Sequence, residues 1–424
     1  MLSALAWLAF RRDADREGFE FSKRVVALSS AGPDEWLDHA RYAWTADEGA
    51  EAARALETYV RRWPARVAAL EHHLVSGVVD AAPARSAPRL ALLEALAAAE
   101  YEAPHTGESG FYWYALAEER LERGDVDGAR AAAERVRSPA ELVSLRADRR
   151  FDAIVDRGAR AFDVERAANR RVDDLRARAL LDQDVLETQS AFAAAMLVVG
   201  DAESVLALAD EVESMYAASP RPGYRDDDQR VWMLNHRANA LRRLGRADEA
   251  LDVLRKAAGL DEEGAANVSQ VLNLGELYCA LGCPDDSLAT IARAGRMSGF
   301  GRMVQTYVQL CAAVQKNDAA GVDAALAYLR EHRATSETIY TGSLLYAGRD
   351  DEAAATMIER LGDPARRGEA LRELQVFRKG PALPGEAATE TAAEARLAAM
   401  RERADIRAAL ADVGRIESYP IHAP

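Results

Sequence analysis

A short pattern recurs five times along the chain: a glycine, an acidic residue three positions later, and a small or β-branched residue five positions later. The segments are Gly124–Ala129, Gly200–Val205, Gly245–Ala250, Gly282–Ser287 and Gly348–Ala353. Glycine readily takes the left-handed conformation that ends many helices. An acid at the start of the next helix caps free N–H groups and meets the positive end of the helix dipole. The pattern therefore predicts helix–turn–helix units whose small residue lets the two helices approach closely.

Residues outside the turns extend the same register. Twelve positions before each small residue stands another small residue or threonine: Ala117, Ala193, Ala238, Gly275 and Thr341. Seven positions after it, four of the five residues are apolar: Val136, Val212, Ala257 and Ala294. Arg360 is the departure. Both helices of a unit are thus predicted to bury one face.

The spacing of the turn glycines predicts an array. Gly245 and Gly282 are 37 residues apart, and the 66 residues from Gly282 to Gly348 leave room for two units, with a less regular turn at 316–318. Periods in the thirties with two helices per unit indicate an α-solenoid. An abundance of alanine and an aromatic content of only 7% also favour helices over a β fold.

One unit carries a recognisable motif. Asn273-Leu274-Gly275-Glu276-Leu277-Tyr278, followed by Ser287, Ile291 and Ala294, resembles the tetratricopeptide repeat (TPR) family, with its Leu-Gly-x-x-Tyr core. The resemblance is most specific over residues 231–296. It implies an all-α fold, an α-solenoid with a right-handed superhelix of antiparallel helical hairpins, closed by a C-terminal capping helix.

Four segments are predicted along the chain. They are an N-terminal segment at 1–30, degenerate hairpin repeats at 31–212, TPR-like repeats at 213–378, and a linker, capping helix and tail at 379–424. Within the last segment, Lys379–Gly385 is predicted to be the linker and Glu386–Val413 a single long helix. The tail from Gly414 onward is expected to lie along the surface or to be disordered.

Composition and motifs narrow the function. The net charge of −15 disfavours binding to phosphate backbones, so no nucleic-acid partner is expected. Neither a nucleophile motif, a phosphate-binding loop nor a metal-ligand spacing occurs, so no catalytic residue, cofactor or metal is predicted. The prediction is a non-enzymatic scaffold that binds a protein or peptide. The alternative is a sensor or enzyme with a small-molecule site assembled from residues distant in sequence.

Candidate partner-binding residues follow from the resemblance, which implies that first helices line a concave surface. The polar positions of the two best units are Asn235, Asn239, Arg242, Asn273 and Glu276. Asparagine amides can donate to and accept from a peptide backbone, and Arg242 can pair with a carboxylate. The alternative is that all five are ordinary exposed helix residues.

The N-terminal segment bears on localisation. Met1–Phe10 is apolar but short, lacks a basic start and is followed by Arg11 and Arg12. It is predicted to be a first helix, and the protein to be cytoplasmic. If the segment is part of a degenerate or truncated signal peptide, the protein is instead exported or periplasmic.

Overall fold

The computed structural model describes residues 2–10, 12, 14–219, 223–262 and 265–424. The chain divides into two compact units. The first comprises Met1–Arg146 and Phe151–Ala167, and the second Ala147–Arg150 and Ala168–Pro424.

The first unit is built from short helices that contact one another in succession. They are α1 (Leu2–Phe10), α2 (Asp15–Val26), α3 (Pro33–Thr45), α4 (Gly49–Arg62), α5 (His72–Ala81), α6 (Ala87–Ala98), α7 (Gly110–Glu122), α8 (Val126–Ala133) and α9 (Pro139–Ala147). The boundary between the units falls in α10 (Val164–Leu181). The apolar N-terminal stretch forms α1, which packs on α2 and buries Ala6 and Ala9. Leu56, Leu92 and Leu116 lie in the fully buried core.

Thirteen further helices follow among the described residues. They are α11 (Leu186–Val199), α12 (Ala202–Ala218), α13 (Arg230–Arg243), α14 (Ala247–Ala258), α15 (Val268–Ala280), α16 (Pro284–Ile291), α17 (Gly299–Gln315), α18 (Ala319–Glu331), α19 (Glu337–Tyr346), α20 (Asp350–Gly362), α21 (Arg367–Glu373), α22 (Ala388–Glu402) and α23 (Ala404–Ala411). Short 3-10 helices occur at Pro64–Ala69, Arg149–Phe151, Arg160–Phe162, Asp227–Gln229 and Arg333–Thr335. The strands β1 (Asp261–Glu262) and β2 (Ala265–Ala266) pair antiparallel, and β3 (Val376–Phe377) pairs parallel with β4 (Ser418–Tyr419).

The helices of the second unit pack as repeated hairpins. Each first helix contacts its own second helix, and each second helix contacts the first helix of the next hairpin, from α11 through α20. First helices also contact each other, as α11 does α13 and α15 does α17. This nearest-neighbour packing is that of a TPR-like α-solenoid, so the predicted all-α hairpin repeats are confirmed.

The turns confirm the role of glycine and correct that of the acid. All five turn glycines have positive φ, between 69° and 90°. In two of the five turns, however, the capping acid is the residue directly after the glycine, and in the other three no side chain caps the second helix. Asp125 accepts a hydrogen bond from the backbone N–H of Gly128, and Asp201 from that of Ser204. The acid three positions after the glycine lies within the first helical turn, where it interacts with the dipole but is not the cap.

A substitution at Gly275 tests the close packing of α15 against α16. A Cβ at this position would overlap Ile291 Cγ2, whereas a Cβ on Gly342 in α19 would meet nothing within 4 Å. Overpacking costs about 1–3 kcal/mol, and Ala gains about 1 kcal/mol over Gly inside a helix. We expect Gly275→Ala to lower the free energy of unfolding and Gly342→Ala to raise it, as measured by urea titration. If both substitutions raised the free energy of unfolding by the same amount, the close contact between Gly275 and Ile291 would be contradicted.

The single long helix predicted at 386–413 is wrong. The chain forms α22 and α23, separated by Arg403 in an extended conformation. The break lets α23 turn onto α20 and bury Ile406 and Leu410. Arg403 is held by ion pairs of 2.9 Å to both Asp351 and Asp405.

The tail is likewise neither disordered nor merely laid on the surface. Its strand β4 pairs with β3, and both Tyr419 and Ile421 are buried. The backbone N–H of Arg378 donates to the carbonyl of Ile421 at 2.8 Å. A strand of two residues is too short to show an alternation of buried and exposed positions in the sequence. The strand β4 could therefore not be predicted from the sequence pattern.

Candidate functional site

Three predicted site residues share one face of α13. Asn235, Asn239 and Arg242 stand four and three positions apart, which places them along one side of a helix. Leu234 and Leu241 are buried on the packing side of the same helix. The apolar register thus leaves the three polar side chains partly exposed.

Asn235 and Asn273 are joined to each other. The Nδ2 of Asn273 donates to the Oδ1 of Asn235 at 3.0 Å, and also to the Oε1 of Gln270 at 3.3 Å. The amide pair therefore links α15 to α13. This contact uses part of the hydrogen-bonding capacity that the sequence analysis assigned to a partner.

Residues 378–396, here called the C-terminal segment, lie against successive hairpins. Pro384 lies beside the turn glycine Gly245. The backbone N–H of Ala387 donates to the carbonyl of Ala280, at the end of α15, at 2.8 Å. Further along, Thr389 Oγ1 and the Tyr346 hydroxyl are 2.7 Å apart. The segment therefore runs past the C-terminal ends of the first helices.

A cavity of about 540 Å³, the linker cavity, lies between α13 and the C-terminal segment. Asn239, Arg242 and Arg243 line it from α13, and residues 379–383 line it from the other side. Lys379 is paired with Glu394 at 2.6 Å. Two of the five predicted residues, Asn239 and Arg242, thus face one cavity.

The arginines in this wall differ in their contacts. Arg243 donates to the carbonyl of Leu197, and burial lowers its pKa to about 10. Across the described ranges, Arg242 and Asn239 make no hydrogen bond or ion pair within the protein. Their donors are therefore available to a bound molecule.

A second cavity of about 210 Å³, the Glu276 cavity, adjoins α15. Its lining groups come from four helices: Arg242, Glu276, Cys279, Ala280, Tyr307, Val308, Cys311 and Glu390. Arg242 is a lining residue of both cavities. Glu276 is accordingly the third predicted residue that faces a cavity.

The two carboxyl groups of the Glu276 cavity are perturbed by their surroundings. Burial raises the pKa of Glu276. The positive charge of Arg242 acts to lower this pKa, and the negative charge of Glu390 acts to raise it. Burial also raises the pKa of Glu390, against a hydrogen bond from Tyr346 that lowers it. Glu390 thus has a donor in Tyr346, whereas Glu276 has no hydrogen-bond donor among the described residues.

The wall formed by the C-terminal segment was not predicted from the sequence. Glu386, Glu390 and Glu394 recur every four residues, and all three line one or other cavity. That spacing was a signal for an acidic stripe on one side of the segment. Nothing in the stripe indicates which helices it faces, because the contacts join residues far apart in the chain.

Comparison with solved structures gives 26 matching chains, one of which is described here. No family model matches the chain, and no curated protein matches it in sequence. The chain is similar to the "Crystal structure of APC/C hetero-tetramer Cut9-Hcn1", with 11% identity over 97% of this chain and 85% of that one. The TM-score is 0.28, so the TPR-like assignment rests on the hairpin packing described above.

The described residues lack two further features. No helix among them is both long and apolar enough to traverse a bilayer. No three His, Cys, Asp or Glu side chains in that part of the chain are grouped so that they could hold a metal ion.

Proposed function

We propose that the protein is a non-enzymatic scaffold that binds a protein partner through an extended peptide segment. One observation carries this proposal. Asn239 and Arg242 both line the linker cavity, and neither has a partner in the described chain. An asparagine amide can hold a peptide backbone by donating and accepting, and a guanidinium can bind a carboxylate or carbonyl.

The surroundings suit a peptide more than a small apolar ligand. The linker cavity is open, and its walls carry charged side chains as well as residues 379–383. Asn235 on α13 and Asn273 on α15 are also predicted to bind the partner. Their donor and acceptor groups that are not used in the hydrogen bond between them remain for the peptide. Glu276 extends the surface into the adjoining cavity.

A selection experiment tests this function. Short displayed peptides are selected against the full chain, and the affinity of the enriched peptides is measured by fluorescence anisotropy. We expect Asn239→Ala combined with Arg242→Ala to weaken binding at least about tenfold, because each lost hydrogen bond to a charged or amide group contributes of the order of 1 kcal/mol or more.

Matched controls are available on other faces. Asp248 in α14 and Arg293 after α16 are exposed, so Asp248→Ala and Arg293→Ala are expected to leave peptide affinity unchanged. Circular dichroism checks that all variants remain folded. Enriched peptides that bound the double variant as tightly as the parent would refute the site, and the failure to enrich any peptide would refute the function.

A further inference from the structure

The carboxyl group of Glu276 stands out because it lies in a cavity and has no partner in the described part of the chain. It lies on α15 and lines the Glu276 cavity. Within the described residues it has no hydrogen bond and no ion pair. Arg242 acts on it only through charge, without a contact short enough for an ion pair. A carboxylate in this state can accept hydrogen bonds from a ligand that brings donors into the cavity.

The groups around it define the charge of that ligand. Arg242 faces the carboxyl from α13, Tyr307 and Cys311 from α17, and Glu390 from α22. Cys279 faces it from its own helix, α15. Burial raises the pKa of Tyr307 and of Cys311, so both stay neutral near pH 7. With both acids ionised, two negative charges face one guanidinium, and the cavity lacks one positive charge.

A primary ammonium supplies that charge better than the other cations. The described residues hold no group of three His, Cys, Asp or Glu side chains that could bind a metal ion. An ammonium carries three donors on a single nitrogen, which suits two carboxyl groups on different helices. A second guanidinium presents its donors as a planar fork, which suits a single carboxylate.

We propose that the Glu276 cavity binds the ammonium group of a lysine side chain from the partner, between Glu276 and Glu390. This inference rests on the proposed function, because the bound peptide is what carries the lysine. Because Arg242 lines both cavities, a peptide backbone in the linker cavity is adjacent to the entrance for its own side chain. The cavity volume of about 210 Å³ suits an unbranched alkyl chain.

Capped tripeptides test the site without the natural partner. Acetyl-Ala-Lys-Ala-amide is titrated into the full chain and followed by NMR and calorimetry, beside acetyl-Ala-norleucine-Ala-amide, which keeps the alkyl chain of lysine but lacks the terminal ammonium. We expect norleucine to bind at least about tenfold more weakly than lysine. Because Glu276 has a raised pKa, lysine binding is expected to release protons and to strengthen as pH rises through that pKa.

Substitutions assign the effect to the cavity. Glu276→Gln keeps the shape of the side chain, and we expect it to abolish both the preference for lysine and the proton release. Glu390→Gln is expected to weaken lysine binding as well. Glu331→Gln, at an exposed position at the end of α18, is the matched control and is expected to change nothing. Circular dichroism verifies the fold of each variant.

The two proposals can fail separately. Equal binding of the lysine and norleucine tripeptides, or lysine binding that survives Glu276→Gln, overturns the ammonium site. If enriched peptides still depend on Asn239 and Arg242 in that case, the scaffold function stands. If lysine binds through Glu276 but no displayed peptide is enriched, the ammonium site stands and the scaffold function is overturned.

Discussion

Glu373→Ala is expected to lower the free energy of unfolding by about 3–5 kcal/mol, because it leaves a buried guanidinium without its counter-ion. Arg360 in α20 is completely buried. Its Nη1 donates to Glu373 Oε2 at 2.9 Å and to Thr341 Oγ1 at 3.0 Å. Glu369 lies 3.5 Å from the same guanidinium but is half exposed, so it replaces little of the lost interaction.

A second substitution separates the buried charge from general damage at Glu373. Arg360→Met combined with Glu373→Leu removes both charges, and replacing a buried ion pair by apolar residues is often neutral or stabilising. The double variant is therefore expected to recover most of the loss in urea titrations. Glu352→Ala breaks an exposed pair with Arg330 and is expected to cost at most about 1 kcal/mol. A loss for Glu373→Ala no larger than this control would contradict the role of the pair.

A chain that ends at Val413 is expected to lose at least about 3 kcal/mol of stability in its second unit. Fully burying a large apolar side chain contributes about 1.5–3 kcal/mol, and the truncation removes both Tyr419 and Ile421. It also strips Gln375, which is buried, of its contacts to Arg415 and Glu417. The lost hydrogen-bond partners add to the cost.

Hydrogen–deuterium exchange localises this effect. The amide of Val376 donates to the carbonyl of Glu417 at 3.0 Å, and that of Arg378 to the carbonyl of Ile421. Both amides are expected to exchange faster in the truncated chain. A chain that ends at His422 lacks only two exposed residues and is expected to match the parent. Unchanged protection at Val376 and Arg378 after truncation at Val413 would show that the tail is not integrated.

The hairpins could be predicted because their determinants are local. A glycine that ends one helix, an acid that begins the next and a small residue at the crossing all lie within a few positions of one another. The positive φ angles of Gly245 and Gly282 confirm that reasoning at single residues. Asn317 takes the same conformation in the less regular turn, where no glycine is available.

Features that depend on distant residues could not be predicted in this way. Arg360 interrupts the apolar register, and only its partner Glu373 explains why a charge is tolerated there. Asn239, Arg242 and Glu276 were predicted from the sequence as partner-binding residues, but the sequence did not indicate that residues 379–394 line the same cavities. A Pro- and Gly-rich linker carries no periodic pattern that would indicate its position.

The backbone contacts of Gly414 bear on how the second unit is assembled during translation. Gly414 bridges to Asp148, and Arg149 also donates to its carbonyl across 265 positions of sequence. A plain repeat array folds one module after another as it leaves the ribosome, because each module needs only its neighbours. Here the first residues of the unit can form these contacts only after nearly the last residues have been synthesised. Such high contact order slows folding and makes the unit's unfolding more cooperative than that of an open array.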